Sequence, residues 1–534
     1  MHQFHTVLLL ILLGCFQHIS AQEKPNILWI SAEDLSPHLS SYGDNTVKTP
    51  NIDRLAKEGV VYERVYTTAG VCAPSRCAII TGNYQTRVGG HNMRTLNNTY
   101  PEKTGLPKEY NVVPPAEIRC FPEYLRAAGY YTCNNEKTDY QFTAPPTVWD
   151  ESSKTASWRK RPAGKPFFAV INFTTTHESQ VWMRGKNPLR VDPAKVSLPP
   201  YYPDNAIVRN DVARHYSNVS ELDDQVGEVL RQLEEDGLLD KTIIFFWTDH
   251  GDGLPFFKRE IYRRGLHVPL IVRYPDLAQA GTRSQRLISA IDLGPSVLSL
   301  AGIPTPKQMD GQAFVGPFAA KKERQWVFAA RDRMDSEYER SRSVMNQQFQ
   351  YIRNFYPERP RYQDIEYRTQ QPMMAEILRL RGAGALSGTQ QLWFEPNKPA
   401  EELYDWGKDP FQLNNLAAQP QYQNILKKMR KLMDLLLIQT KDLGGISEKE
   451  LVKQMWNGGD KPPLTSAPSV QLTGNELRIT CSTPGASIAF REKGNSTWEV
   501  YTRPIPKPLK SIEAMAMRIG YTASEIVTFG VGQK

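Results

Sequence analysis

An apolar run, PNILWIS at residues 25–31, ends just before the acidic pair Glu33 and Asp34. Two further runs have the same arrangement, KPFFAVINFT at residues 165–174 and KTIIFFWT at residues 241–248. Continuous apolar runs of this length are typical of parallel strands that are buried on both faces of a sheet. The three segments therefore predict the central strands of an α/β fold.

A helical pattern lies between the second and third of these strands, at residues 212–239. Its apolar side chains recur at spacings of three and four residues, as expected for a helix with one buried face. They are Leu222, Val226, Val229, Leu230 and Leu233. Strands and helices thus alternate, and ligands of such sheets bind at the carboxyl ends of the strands. The polar residues expected at those ends are Glu33, Asp34, His177, Asp249 and His250.

The chain has 534 residues, which is too many for one ordinary core, so we expect a large domain and smaller ones. The large α/β domain is expected at residues 22–324. Short antiparallel strand patterns and a helix at residues 421–437 predict an α+β subdomain at residues 325–457. A Gly- and Pro-rich linker follows at residues 458–468. Short alternating strands with turn residues then predict a small β-sandwich at residues 469–534.

The N-terminus has the pattern of a signal peptide at residues 1–21. These residues contain no Lys, Arg, Asp or Glu, and their apolar run from Val7 to Phe16 is too short to span a bilayer. We therefore expect an exported protein, periplasmic or secreted. The imperfect lipidation motif LLGC offers an alternative, a lipid anchor at Cys15 in the outer membrane. No other segment is apolar enough to cross a membrane.

The cysteine content argues against a dense disulfide framework. Five cysteines remain after the predicted cleavage, an odd number with no CxxC spacing. A single bridge between Cys120 and Cys133 and a set of buried free thiols both fit this sequence.

The charge balance is mildly basic. Lys and Arg number 65 against 57 Asp and Glu, a formal charge of +8, and no dense basic run is present. The sequence therefore gives no sign of a nucleic-acid partner. A diffuse positive charge suits an anionic substrate.

The most specific motif is CAPSR at residues 72–76, followed by Thr81 and Gly82. It resembles the CxPSR signature of type I sulfatases, which have a TG pair at this distance. The resemblance extends over about residues 24–440 and is nearest to bacterial heparan N-sulfatase-like and polysaccharide sulfatases. It implies an alkaline-phosphatase-like mixed sheet flanked by helices, followed by the smaller α+β subdomain.

The resemblance also implies a modified nucleophile at Cys72. In that family the cysteine is oxidised to formylglycine by a maturation enzyme, which would be a partner of this chain. The hydrated aldehyde has two hydroxyls, of which one attacks sulfur and the other later expels sulfate. A serine hydroxyl lacks the second group and cannot release the product in this way.

Four residues would hold a metal ion together with position 72, according to the same resemblance. They are Glu33, Asp34, Asp249 and His250. Oxygen ligands of this kind suit Ca²⁺, or Mg²⁺ as in some relatives. The chain departs from the family twice, with Glu33 in place of Asp and His250 in place of Asn. The alternative role of an Asp after a strand is to cap a helix.

Four residues match family positions that bind and cleave the sulfate, which requires fixed cations and an acid for the leaving oxygen. They are Arg76, Lys137, His177 and Lys258. The family usually has Lys-x-His where this chain has Lys137 and Asp139. Asp139 then either accepts a proton from the nucleophile or binds a sugar hydroxyl. Further substrate contacts are proposed at residues that flank the matched motifs: His91, Arg94, Glu178 and Arg331.

The sequence thus predicts a sulfatase that acts on sulfated carbohydrate, an oligosaccharide or polysaccharide such as glycosaminoglycan or ulvan. Whether it cleaves esters or N-sulfates, which sugar it recognises and whether it acts within or at the end of chains stay open. The alternative is a phosphoesterase or phosphonate monoester hydrolase of the same superfamily, although a single acidic cluster favours sulfate over a two-metal phosphatase. A third interpretation, a glycan-binding protein without activity, disagrees with the intact motif residues.

Overall fold

The computed structural model describes residues 24–530. The predicted signal peptide, Cys15 and the last four residues of the predicted β-sandwich lie outside this range. Between residues 24 and 530, no helix combines the length and apolarity that a membrane span needs.

A mixed eight-stranded sheet forms the centre of the molecule, in the order β4-β3-β5-β1-β6-β7-β2-β8. Its strands are β1 (Asn26–Ala32), β2 (Gly59–Tyr66), β3 (Tyr131–Asn134), β4 (Glu151–Ser152), β5 (Phe167–Phe173), β6 (Thr242–Thr248), β7 (His267–Arg273) and β8 (Thr282–Ser289). The three strands predicted from apolar runs are neighbours, and β1 is parallel to both β5 and β6. Because β7 is antiparallel to β6 and β2, the sheet is mixed. The predicted fold class is confirmed.

Helices cover both faces of this sheet. Those of the described chain are α1 (Pro50–Glu58), α2 (Cys72–Thr81), α3 (Gln85–Val88), α4 (Pro101–Thr104), α5 (Phe121–Ala127), α6 (Ser179–Met183), α7 (Ala206–Glu235), α8 (Arg263–Leu266), α9 (Leu293–Leu300), α10 (Pro372–Gly382), α11 (Gln423–Gln439) and α12 (Glu448–Met455). Strand β1 separates two cores, because Leu28 and Ile30 face the core that contains α7 whereas Ile27 and Trp29 face the core of α2 and α5. Each large apolar side chain buried in this way contributes about 1.5–3 kcal/mol.

Helix α7 is longer at its N-terminus than residues 212–239 predicted, and it ends earlier. It begins after Asn205, whose side chain accepts hydrogen bonds from the N–H groups of Ile207 and Val208. This is the usual chemistry of a helix N-cap. At the other end the chain leaves the helix through Gly237, which has a left-handed φ of 63°. Apolar spacing located the buried face but not the two ends.

A second, antiparallel sheet lies C-terminal to the first, in the order β12-β11-β10-β9. Its strands are β9 (Val327–Arg331), β10 (Ser341–Met345), β11 (Phe349–Asn354) and β12 (Glu401–Asp405). Helix α11 packs on this sheet, close to the predicted residues 421–437. The segment between β11 and β12 returns to the large domain, where Met373, Ile377 and Trp393 share a core with α7.

The C-terminal β-strands form two antiparallel sheets, β13-β14-β17 and β16-β15-β18-β19. The strands are β13 (Ser469–Thr473), β14 (Glu476–Thr480), β15 (Ser487–Glu492), β16 (Glu499–Val500), β17 (Ile505–Pro506), β18 (Ile512–Met517) and β19 (Val527–Phe529). This small sandwich is docked on the large domain. The Ser487 hydroxyl donates to the buried Glu123 carboxylate at 2.5 Å, and Arg119 Nη1 donates to the Gly485 carbonyl at 2.7 Å.

The cysteines of the described chain are all free thiols, and Cys120 and Cys133 are both buried without a bridge between them. The sequence left open a Cys120–Cys133 disulfide or free thiols, and the structure shows free thiols.

Candidate active site

Helix α2 places the Cys72 side chain at its N-terminus, within the molecule. The preceding residue, Val71, is extended with φ −152°, and the helix begins at Cys72 itself. The Ser75 hydroxyl donates to the Asp249 carbonyl at 2.7 Å, which ties the first turn of α2 to the end of β6. The N-terminal end of a helix favours negative charge because its N–H groups have no partner in the helix. Cys72 thus lies where an anionic group is stabilised.

The Thr81 and Gly82 pair ends the same helix. Gly82 has a left-handed φ of 63°, and its N–H donates to the carbonyls of Ala78 and Ile79. A Cβ at this position would lie 3.0 Å from the Met309 sulfur, in a conformation that L residues rarely adopt. This part of the motif is therefore structural, and it fixes where the helix stops.

Four buried residues bring one ligand atom each to within 4.8 Å of one another: Asp34, Cys72, Asp249 and His250. His250 Nε2 lies 3.1 Å from Asp34 Oδ1 and 3.2 Å from Cys72 Sγ. The residues come from the ends of β1 and β6 and from the start of α2. The carboxyl edge of the sheet therefore assembles them, as the strand pattern predicted.

The His250 ring is oriented by its other nitrogen. Nδ1 lies 2.9 Å from the Gly251 carbonyl oxygen. A carbonyl only accepts, so Nδ1 carries the hydrogen, and Nε2 faces the two carboxylates. Metal-binding histidines are commonly held by such a bond to a backbone carbonyl. The donor set, two carboxylates with one imidazole nitrogen, fits a divalent cation.

Glu33 lies beside this group rather than within it. Its carboxylate is 2.7 Å from Lys137 Nζ and 3.7 Å from Arg76 Nη2, and its side chain is only 1% exposed. It forms a neighbouring group with Cys72 and Asp139. The structure thus gives Glu33 cationic partners, and its role as a metal ligand stays a prediction.

Arg76 bridges the helix and the strand ends. Its Nε donates to Asp249 Oδ2 at 2.9 Å, and Nη1 donates to Asn172 Oδ1 at 3.1 Å. The guanidinium is buried, and its planar fork holds both partners in one orientation. Asn172, at the end of β5, was missed by sequence reasoning, although its position after an apolar run was a usable signal.

Lys258 and Glu178 adjoin the Asp34 carboxylate. Lys258 Nζ lies 2.7 Å from Asp34 Oδ2 and 3.1 Å from Glu178 Oε1. Arg259 pairs with Glu178 at 2.6 Å, a contact that the sequence did not reveal. The Glu178 carboxylate is therefore buried between two cations, and its predicted contact with a sugar stays a prediction.

His177 lies beyond the end of β5 and borders the same group. Its Nδ1 is 2.8 Å from the Ser179 hydroxyl, and its side chain is half-buried. Burial and then Lys258 lower the pKa of His177, whereas Asp34 and Cys72 raise it, and the net pKa is above the ordinary value. An imidazole that keeps its proton near neutrality suits a proton donor.

Comparison with known proteins identifies the family. The family model described as Sulfatase matches residues 25–150 and 134–303. A second model, N-sulphoglucosamine sulphohydrolase, C-terminal, matches residues 251–374. The chain belongs to the sulfatase family.

Relatives of this sulfatase include an ulvan-active sulfatase of Formosa agariphila, which is 43% identical over 95% of this chain and 91% of its own length. The human N-sulphoglucosamine sulphohydrolase is 23% identical over 76% of this chain and 88% of its own. The enzyme is therefore a hydrolase of the sulfatase type, as the CAPSR motif predicted.

Solved structures share the fold. One, in complex with its substrate D-glucosamine-2-N,6-O-disulfate, has a TM-score of 0.57 at 18% identity and covers 80% of this chain and 100% of its own. A phosphonate monoester hydrolase of Agrobacterium radiobacter has a TM-score of 0.55 at 18% identity and covers 77% of this chain and 95% of its own. The fold alone does not separate these activities. The sequence comparisons give the sulfatase.

The remaining residues predicted to contact substrate fall into two groups in this sulfatase. His91 and Arg331 are each only 4% exposed, and Arg331 Nη2 donates to Gln363 at 2.7 Å. Arg94 and Asp139 keep side chains that are 22% and 37% exposed. Asp139 pairs with Lys137 at 2.9 Å. Arg94 and Asp139 therefore lie where a substrate has access, whereas His91 and Arg331 are enclosed by the protein.

Proposed function

We propose that this sulfatase removes sulfate groups from carbohydrate, with position 72 converted to formylglycine as the nucleophile. The observation that carries the proposal is the placement of Cys72 at the N-terminus of α2, against Asp34 and His250 and beside the cation Lys258. The similarity to an ulvan-active sulfatase supports a sulfated polysaccharide or its fragments as substrate. The human relative named for N-sulphoglucosamine keeps both ester and N-sulfate cleavage open.

The surroundings of Cys72 differ from those of the other buried thiols. Burial raises the pKa of Cys133 to about 12, and it also raises the pKa of Cys77 and Cys120. The pKa of Cys72 is instead lowered, because Lys258 and His250 outweigh its burial. Formylglycine at this position supplies, as its hydrate, one hydroxyl that attacks sulfur and a second that releases sulfate. A formylglycine-generating enzyme is then a required partner.

The chain's own cations receive the sulfate. Lys258 pairs with Asp34, Lys137 pairs with Glu33, and Arg76 contacts Asp249 and Glu33. Fixed charges of this kind stabilise the oxygens of the group in transfer because they need no reorganisation during the reaction. His177, at the border of the group, is proposed to protonate the leaving sugar oxygen.

Ca²⁺ is the proposed metal ion, with Mg²⁺ as the second choice. Asp34, Asp249 and His250 would hold it together with the group at position 72, and it would offset the negative charge of the carboxylates and of the sulfate. Carboxylate oxygens are the ligands that Ca²⁺ prefers. The predicted signal peptide supports export to the periplasm or medium, where such substrates are met.

The proposal is tested by mass spectrometry of the peptide that contains residue 72, together with sulfate release from heparan, chondroitin and ulvan fragments. We expect formylglycine in active protein and sulfate release from at least one carbohydrate. Cys72→Ala should keep the thermal unfolding temperature and release none. Full activity with an unmodified thiol would refute the nucleophile. Turnover of a phosphonate monoester but of no sulfate would refute the substrate class.

A further inference from the structure

Four side chains from four separate parts of the sequence form a rim beside the buried group. We call them the Arg94 rim: Arg94, Trp182, Asp335 and Tyr367. The rings of Trp182 and Tyr367 meet edge to face, with centroids 5.4 Å apart and an interplanar angle of 75°. The Arg94 guanidinium lies 5.2 Å above the centroid of Tyr367. Both rings are only half-buried, so they retain surface for a ligand.

The rim adjoins the residues that surround Cys72. Trp182 belongs to the short helix α6, which follows His177 and Glu178 directly. Tyr367 packs against the apolar cluster of Val71, Met334 and Ile365, and Val71 is the residue before Cys72. Burial and then Glu178 raise the pKa of Tyr367.

The Arg94 side chain is hydrogen-bonded through one guanidinium nitrogen, Nε, and its two Nη groups remain available to a ligand. Its Nε donates to Asp335 Oδ1 at 2.5 Å, and Asp335 is 6% exposed. Within residues 24–530 its two Nη groups have no hydrogen-bond partner, although the side chain is only 22% exposed. Arg94 and Asp335 both have left-handed backbone, with φ of 60° and 50°. Non-glycine residues seldom adopt this conformation, and where they do it often positions a functional side chain.

We propose that the Arg94 rim is a substrate subsite for an oligosaccharide that carries a second anionic group besides the sulfate that is cleaved. The apolar face of a sugar ring lies against Trp182, and the Nη groups of Arg94 bind the second group. A carboxylate and a second sulfate share the required chemistry, since both offer two oxygens to a guanidinium fork. This assignment rests on the proposed function and deepens it.

Asp335 acts in this subsite as a positioning residue. It accepts the hydrogen bond from Nε and leaves the two Nη groups free to bind a ligand. Tyr367 supports the guanidinium from below through a cation–π contact. The rim thereby selects among sulfated sugars, whereas the buried group performs the same chemistry on all of them.

The test is a selectivity ratio, the kcat/KM on a sulfated disaccharide divided by the kcat/KM on 4-nitrophenyl sulfate. Three disaccharides are compared, with a uronate carboxylate, with a second sulfate and with no second anionic group. Arg94→Ala should lower the ratio by about 10- to 100-fold for the anionic disaccharides, as expected for a lost charged hydrogen bond. The neutral disaccharide should change much less. The disaccharide whose selectivity ratio decreases most in Arg94→Ala identifies the second anionic group as a carboxylate or a sulfate.

Matched variants separate the rim from general effects. Arg379→Ala removes an exposed arginine that is likewise paired with a carboxylate, Glu376, and should leave the ratio unchanged. Trp182→Ala should lower the ratio for all three disaccharides by about 5- to 10-fold, the size of a lost aromatic contact. Trp498→Ala removes a half-buried tryptophan of the C-terminal sandwich and should leave the ratio unchanged. Asp335→Ala should raise the KM for the anionic disaccharides and leave kcat unchanged. Asp335→Asn still accepts a hydrogen bond from Arg94 Nε, so its KM should stay close to that of the wild type.

Three results would overturn the assignment. An equal fall on all disaccharides and on the aryl sulfate in Arg94→Ala would make Arg94 a structural residue. Hydrolysis of sulfated sugars with an unchanged ratio in Arg94→Ala would refute the rim alone. If the wild-type enzyme cleaves 4-nitrophenyl sulfate but no sulfated sugar, the proposed function and the rim fail together.

Discussion

The buried group around Cys72 and the Arg94 rim differ in the solvent exposure of their charged side chains. Asp34, Asp249 and His250 are 0% exposed, and Lys258 is 2% exposed. In the rim, Arg94 is 22% exposed. Charges that are excluded from water interact strongly, and the loss of one partner leaves the other uncompensated. A pair with one partner that water still reaches, such as Arg94 with Asp335, is weaker than a pair without water access. The interior thus fixes the chemistry, and the rim is free to vary with the substrate.

The largest effect is expected from the cation site, because it lies at the centre of the buried group. Chelation should remove activity and Ca²⁺ should restore it, whereas Asp34→Ala and Asp249→Ala should abolish this response. Calcium at 100 times its Kd should stabilise the fold by about 3 kcal/mol. Thermal unfolding with and without chelator measures this stabilisation.

Two variants control the metal experiment. Asp34→Asn keeps the shape of the side chain next to Lys258, so it separates loss of the ion from misfolding. Asp224→Ala removes a carboxylate whose side chain is 63% exposed and should respond to Ca²⁺ like the wild type. An unfolding temperature that chelator does not change would show that the buried group holds no ion.

A smaller effect, and one that depends on the substrate, is expected at His177, on the border between the two regions. A sugar alkoxide leaves only with a proton, whereas 4-nitrophenolate hardly needs one. His177→Ala should therefore lower the rate on a sulfated sugar by about 10²- to 10⁴-fold and the rate on the aryl sulfate far less.

The pH profile gives a second measurement of His177. The raised pKa keeps the imidazole protonated towards neutral pH, so the rate on the sugar should fall as the pH rises through that pKa. Equal losses on both substrates in His177→Ala would assign the residue to sulfate binding and leave Lys258 and Asp139 as candidate acids.

The third comparison measures stability rather than activity, and it uses the two carboxylates that share Lys137. Glu33 lies 2.7 Å from its Nζ and is 1% exposed, whereas Asp139 lies 2.9 Å away and is 37% exposed. Glu33→Gln should destabilise the fold by about 3–5 kcal/mol, as does the breaking of a buried pair. Asp139→Asn should cost about 1 kcal/mol or less. Urea unfolding compares them, and equal losses would mean that burial does not set the strength of these pairs.

Much of the fold was predictable because its strands are buried on both faces and therefore appear as continuous apolar runs. The runs at residues 25–31, 165–174 and 241–248 predicted three adjacent strands. Periodicity predicted α7 but not its ends, which depend on the cap at Asn205. The CAPSR motif predicted the family, and in the structure its residues form the first turn of α2.

The amino-acid sequence by itself determined the central strands, the buried face of α7 and the polar residues at the strand ends. Only the tertiary structure decided which of these residues meet. Glu33 and Asp34 are adjacent in sequence, yet one pairs with Lys137 and the other with His250 and Lys258. The Arg94 rim joins residues from four separate segments. Local patterns follow from the backbone and from burial, but the partner of a buried charge depends on how separate segments pack, and no short stretch of sequence contains that information.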